Sequence, residues 1–390
     1  MTKLIYLRAD ELYKHDPEII HNTKVGNWVA PHMAISYAGA FTRSRSCDAI
    51  PNFDFLAPAI SKMPGASDLG SLDSFEHVFD ELIVRYCNEF AQHNKTIYIS
   101  WSGGIDSTTI MTGFLRNAPK EILERIIILC NDDSIKENPY FYHTFLKDKF
   151  KQQIINTFLL DATTVNTSIV IDGEAGNQCM GNNIIAKLVF ANQSDILLTP
   201  WHNVPNLNQL LAIENRWISK WPQRWPNIDT VVSNWVNRLL ETVPYSPVEI
   251  NTIYDLFWWA NFDMKFNEVL LRKIPGYSYN LTNTDTKTLW DDVLLRPFAS
   301  KELQCWSMLS KDLRAEMTTV DLKYFAKKYI LDFDNNYHYF EYKTETGSFG
   351  ISHLSNSSLV FAIDTDWNKY TLKRREDRQF LGKLILEDNL

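Results

Sequence analysis

The chain is poor in cysteine and has no long apolar run. Its five cysteines (Cys47, Cys87, Cys130, Cys179 and Cys305) are scattered over 390 residues and never form a CxxC pair. That pattern argues against a disulfide framework or a zinc-binding cluster and leads us to expect reduced structural thiols in a cytoplasmic protein. No stretch approaches the ~18 apolar residues of a membrane span. The longest, Ile126-Ile127-Ile128-Leu129-Cys130, reads as a buried strand. The opening Leu4-Ile5-Tyr6-Leu7, between Lys3 and Arg8, is too short for the apolar centre of a signal peptide. Positive charge is not in excess either: 39 Lys and Arg stand against 47 Asp and Glu, a net charge of −8. A general polyanion binder is therefore not expected, and neither DNA nor a membrane is an expected partner. Internal repeats and low-complexity tracts are absent.

What is present is ordinary globular material, 45% hydrophobic and 22% charged, long enough for two or three domains. Residues 1–70 are broken by Pro17, Pro31, Pro51, Pro58 and Pro64 and predict no domain of their own. From Ser74 to Phe90, apolar residues recur at three- and four-residue steps and predict a helix. Strands are expected at 96–100, 125–130, 154–160, 167–172 and 195–199, with helices at 107–115 and 141–150 between them. Alternation of this kind implies an α/β fold with a doubly wound, mostly parallel sheet over about 95–200.

Beyond Pro200 the texture changes, with nine of the twelve tryptophans between Trp201 and Trp306. A helix is expected from Pro247 to Lys273, capped by Ser246 and Glu249 and ended by Pro275-Gly276. A second is expected from near Thr318, with Leu322, Phe325, Ala326 and Tyr329 on one face and Lys327-Lys328 toward solvent. This half reads as an appended aromatic-rich helical subdomain. The division expected is a short N-terminal region (1–90), an α/β core (91–200) and a helical substrate-pocket part with its tail (201–390).

The most informative stretch is Ser100-Trp101-Ser102-Gly103-Gly104-Ile105-Asp106-Ser107-Thr108-Thr109, between an expected strand and an expected helix. Gly103 and Gly104 permit unusual backbone angles and close approach to an anion. The first amides of the helix and its dipole form an anion site, to which Ser102 and Ser107 can add hydroxyl donors. Asp106 would repel phosphate unless it holds Mg²⁺. The Gly-Lys-[Ser/Thr] ending of a Walker loop is missing.

This motif resembles the pyrophosphate loop of the N-type ATP pyrophosphatases (the PP-loop superfamily), whose members split ATP into AMP and pyrophosphate. The resemblance implies an adenine nucleotide alpha hydrolase-like fold and assigns Ser102, Gly103, Gly104, Asp106, Ser107 and Thr108 to the pyrophosphate. It puts the adenine near Leu129 and Cys130. Asp172-Gly173-Glu174-Ala175-Gly176-Asn177-Gln178 is similar to the GEGxDE loop of asparagine synthetases and β-lactam synthetases. Glu174 falls on the family's functional glutamate, which can take a proton from the attacking amine. The family's later acidic pair is Asn177-Gln178 here, and Asp172 is the residue that could compensate as a magnesium ligand alongside Asp106. Leu295-Arg296-Pro297-Phe298-Ala299 is loosely similar to the family's R-V-P-F segment. Glu341-Tyr342-Lys343-Thr344-Glu345-Thr346-Gly347-Ser348-Phe349-Gly350 resembles its late K-E-x-x-x-D-G-x-G segment, making Lys343 the residue that stabilises charge as pyrophosphate leaves.

The resemblance implies an ATP- and Mg²⁺-dependent, AMP-forming amide ligase joining a small-molecule or peptide carboxylate to ammonia or an amine. The family's glutaminase begins with a cysteine nucleophile; here residue 2 is Thr2, and fewer than 100 residues precede the loop. Glutamine hydrolysis is therefore not expected. The nitrogen would come from free ammonia, an amine substrate, a partner protein or the substrate itself, and self-association is left open. Two alternatives stand beside this: a PP-loop enzyme modifying a nucleotide or tRNA, and an ATP-binding protein that has lost catalysis. The cysteine pattern argues against the zinc- and thiol-bearing branches of the superfamily.

Overall fold

Strands β1 (Thr2–Leu7), β2 (Phe53–Phe55), β3 (Thr96–Ser100), β4 (Ile126–Cys130), β5 (Lys151–Ile154), β6 (Ser168–Ile171), β7 (Leu294–Leu295), β8 (Ser358–Ile363) and β9 (Tyr370–Arg374) form two sheets. The structure, a computed structural model, describes residues 62–155, 160–181, 194–207, 239–271, 292–318 and 323–343, the strands outside those ranges, and a few isolated positions. The central sheet has the order β5–β4–β3–β6–β7, and all four pairings are parallel. Ile97, Ile99, Ile128, Leu129, Val170 and Ile171 are fully buried. A parallel sheet covered on both faces requires apolar residues at successive positions, which is what these runs supply. Each such side chain contributes roughly 1.5–3 kcal/mol by leaving water.

Helix α1 (Phe75–Phe90) is capped by Ser74, whose hydroxyl accepts from the His77 amide, and it buries Phe75, Phe79, Leu82, Ile83, Tyr86 and Phe90. Helix α2 (Ile105–Asn117) follows β3, and the short α3 (Asp132–Glu137) follows β4. The chain thus leaves β3 toward β4 on one side, while β6 lies on the other. In open α/β sheets that reversal marks the place where ligands bind, at the carboxyl ends of the strands.

The second half is helical: α4 (Ile253–Trp259) runs through a π-turn (Ala260–Lys265) into α5 (Phe266–Leu271). It is followed by α6 (Lys301–Leu309), α7 (Lys311–Thr318), α8 (Tyr324–Asp334) and α9 (Tyr337–Tyr342). Trp258, Trp259 and Trp306 are buried in the same hydrophobic core as the sheet. The second sheet, β2–β1–β8–β9, joins the two ends of the chain, with β1 parallel to β2 and antiparallel to β8. No helix among the described residues is long and apolar enough to cross a membrane.

The structure corrects several expectations. Residues 194–198 form a 3-10 turn, not a strand; Leu198 is exposed and only Leu197 is buried, which a covered strand position would not allow. The fifth strand is instead Leu294–Leu295. The helix expected from Pro247 begins at Ile253, capped by Thr252 and Asp255. Ser246 does not cap it but bonds to Val248 in its own turn. The helix expected at 141–150 is a short helix, Pro139–Phe141, with a π-turn, Tyr142–Leu146. The strand expected at 154–160 pairs earlier, as β5. Lys327 does not face solvent: it is buried, and its ammonium donates to the Phe340 carbonyl at 3.0 Å. The expectations at Pro275-Gly276, Leu322 and 344–350 lie outside the described residues.

Candidate active site

The loop after β3 turns sharply because Gly103 is left-handed, with φ of 76°. A Cβ there would come within 2.2 Å of the Ser134 carbonyl oxygen, so only glycine fits. The Ser102 and Ser107 hydroxyls lie 3.0 Å apart. Ser107 also accepts from the Ser102 amide at 3.1 Å, and Ser102 accepts from the Gly104 amide at 3.2 Å. Helix α2 starts on Gly104, which has no capping side chain, so the helix's positive end opens into this loop. Thr108 lies beneath it: its side chain is fully buried, and its hydroxyl accepts from the Trp101 indole at 3.2 Å. It supports the loop from below instead of lining it.

The loop after β6 packs directly on this one. A Cβ on Gly176 would fall 2.3 Å from Asp106 Cγ, and one on Gly173 would fall 3.0 Å from Asp106 Cβ. The two motifs singled out in the sequence, some 70 residues apart, are therefore in contact at the reversal point of the sheet. Asp172 accepts from the Glu174 amide at 3.1 Å and pairs with Arg296 Nε at 3.4 Å, both side chains being buried. Glu174 is half-buried in the turn, and Ala175 after it is left-handed, an uncommon conformation for a residue with a side chain. Asn177 is exposed, while Gln178 is buried and donates to Asn261 at 3.3 Å. The R-P-F segment, loosely matched in sequence, supplies both Arg296 and the Phe298 carbonyl that faces the Cys179 thiol at 2.9 Å.

Two lysines from the end of the chain reach the loop. Lys343 pairs with Glu137 at 2.7 Å, and the Glu137 oxygen lies 3.3 Å from where a Gly104 Cβ would be. Lys323, left-handed at the start of α8, bonds both oxygens of Asp106 at 2.7 Å. Lys343, expected from the sequence, is joined here by Lys323, Glu137 and Tyr339, which were not expected; the Tyr339 hydroxyl donates to the Gly103 carbonyl at 2.9 Å. Burial pushes the Tyr339 phenol well above its ordinary range, so it stays a donor at neutral pH. Leu129 and Cys130 end β4; both side chains are fully buried, and burial pushes the Cys130 thiol up to about 11. Any contact they make with a base would use backbone or a neighbouring groove.

Asp106 and Asp172 fit a magnesium ion unequally. Mg²⁺ commonly takes one or two carboxylates and completes its shell with phosphate oxygens and water. Asp106 is partly exposed at the loop mouth, with both carboxylate oxygens on the Lys323 ammonium, and is the better placed of the two. Asp172 is braced against Arg296 and the turn backbone, which does not suit it. No group of three or more potential metal-ligating side chains occurs among the described residues, so an all-protein metal cage is not formed by them. The chain matches no protein-family model and no curated protein.

Proposed function

We propose that the chain is an ATP-dependent, AMP- and pyrophosphate-forming amide ligase of the PP-loop type, similar to asparagine synthetase but without glutamine hydrolysis. The observation that carries this reading is the meeting of three features where the sheet order reverses. These are the Ser102–Ser107 loop at a helix N-terminus, the Glu174 loop, and two lysines held by carboxylates beside them.

In this reading a substrate carboxylate attacks the α-phosphorus of ATP. Residues 102–107 receive the departing pyrophosphate through backbone amides and the two serine hydroxyls. Lys343 and Lys323 exchange their carboxylate partners for phosphate oxygens, neutralising charge as it develops. Asp106 would hold Mg²⁺, which supplies further charge neutralisation on the phosphates. An amine then attacks the acyl-adenylate, Glu174 takes its proton, and AMP leaves. In this reading the helical second half closes the site against water, which the adenylate requires.

The test incubates the full chain with ATP, Mg²⁺ and pools of carboxylates and amines, and separates the nucleotide products. AMP with pyrophosphate, together with exchange of labelled pyrophosphate into ATP, is expected. ADP with phosphate would overturn the mechanism. A second reading, nucleotide binding without catalysis, draws on Asn177 and Gln178 standing where the family has acidic residues. ATP binding with no AMP from any substrate pool would favour it.

A further inference from the structure

We infer that Tyr339 is a positioning residue that locks the Gly103–Gly104 peptide with its amide facing the phosphate site. The inference rests on the reading of the loop as a pyrophosphate site. The Gly103–Gly104 peptide unit is planar and trans, so its carbonyl and its amide point in opposite directions. The Tyr339 hydroxyl donates to the Gly103 carbonyl at 2.9 Å in a buried setting. The Gly104 amide is thereby turned the other way, toward the Ser102 hydroxyl at 3.2 Å and the interior of the loop.

Gly-Gly is the sequence most prone to lose this orientation. A peptide flip rotates ψ of the first residue and φ of the second by roughly 180°, and glycine permits both. The flipped state would aim a carbonyl oxygen at the incoming anion. A restraint is therefore needed from outside the loop, and Tyr339 is built as one. Its own amide donates to the Asn336 side chain at 3.2 Å, and α9 is tied to α8 through Lys327 and the Phe340 carbonyl at 3.0 Å. Lys343 follows four residues later and holds Glu137 against the same two glycines. One short segment thus fixes both the loop backbone and the lysine beside it.

The test measures binding of inorganic pyrophosphate with Mg²⁺ to the full-length chain by calorimetry, at temperatures below each variant's melting point. Tyr339→Phe keeps the ring and should weaken binding about tenfold. Tyr329→Phe is the control: it removes another buried hydroxyl, one bonded to Asp80 on α1, and should leave pyrophosphate affinity unchanged. Gly104→Ala supplies the second measurement. Gly104 has φ of −73°, which alanine accepts, whereas the positive φ of the flipped state is closed to it. The loss caused by Tyr339→Phe should accordingly shrink to less than threefold when Ala occupies position 104. Equal loss in both backgrounds, or no loss on Tyr339→Phe, overturns the inference while leaving the site intact. Failure of the wild-type chain to bind pyrophosphate overturns the reading of the loop, and this inference with it.

Discussion

The Lys323 ammonium lies 2.7 Å from both carboxylate oxygens of Asp106, bridging the late helical half of the chain to the phosphate loop. An ammonium so placed neutralises a carboxylate that would otherwise repel phosphate, and it can itself turn to a phosphate oxygen. Asp106→Asn removes this pairing and, in the proposed mechanism, the magnesium ligand with it. It should lower AMP formation by about 10²-fold or more, with a melting temperature near that of the wild type because the pair is only partly buried. An active Asp106→Asn enzyme would remove the magnesium role.

Lys343 and Glu137 form the second pair, and the two partners should respond differently. In the proposed mechanism Lys343→Met deletes the charge that meets the departing pyrophosphate, so kcat should fall by roughly 10²–10³-fold with a smaller change in KM for ATP. Glu137→Gln keeps a hydrogen-bond acceptor beside Gly104 and loosens Lys343 without removing it, so its effect on kcat should be less than that of Lys343→Met. Steady-state kinetics of both variants, read as AMP release, decide this. Equal losses would make the pair a structural brace instead.

Residues 102–107 were legible in the sequence because their chemistry is local: the glycines, hydroxyls and helix start are neighbours in the chain. The contact between this loop and Gly173-Gly176 depends on β3 pairing with β6, a choice of strand order that no local pattern specifies. Lys323, Glu137 and Tyr339 were not legible, because tertiary packing brings two of them more than 200 residues along the chain to the loop. The helix start illustrates a different failure. Ser246-Pro247-Val248-Glu249 and Thr252-Ile253-Tyr254-Asp255 are both plausible caps, and local propensity cannot choose between them. The choice is made by backbone pairing with a distant segment: the Trp201 amide donates to the Asn251 carbonyl at 3.1 Å, and the Ile253 amide to the Thr199 carbonyl at 2.9 Å. Thr252 is thereby held extended against Pro200, so the helix cannot begin before Ile253.

Gly103 and Gly176, the two tightest glycines among the described residues, should fail in different ways. Gly103→Ala would drive a Cβ into the Ser134 backbone, 2.2 Å away, at a positive φ. Neither problem has a local remedy, so unfolding free energy should fall by more than about 2 kcal/mol. Gly176→Ala instead meets the Asp106 carboxylate, a side chain able to rotate away at the expense of its bond to Lys323. It should lose activity out of proportion to stability. Denaturant melts alongside AMP release would show one variant mainly unstable and the other mainly inactive; the reverse pattern would contradict the packing of Asp106 on Gly176.

Asp334 closes α8, where the negative end of the helix dipole adds to the cost of a buried carboxylate. Its Oδ1 accepts from the Asn336 amide at 2.8 Å, while the buried Oδ2 has no hydrogen-bond partner. Burial raises its pKa from 3.8 to about 6. The folded chain therefore holds this proton more tightly than the unfolded one. The associated stability is complete below about pH 4 and is lost as pH rises through about 6. Asp334→Asn keeps the acceptor for the Asn336 amide and cannot ionise, so it should match the wild type near pH 4 and exceed it by on the order of 3 kcal/mol above pH 7. The difference between the two chemical-denaturation curves as a function of pH is the measurement. A constant difference across that window would place the Asp334 carboxylate in water.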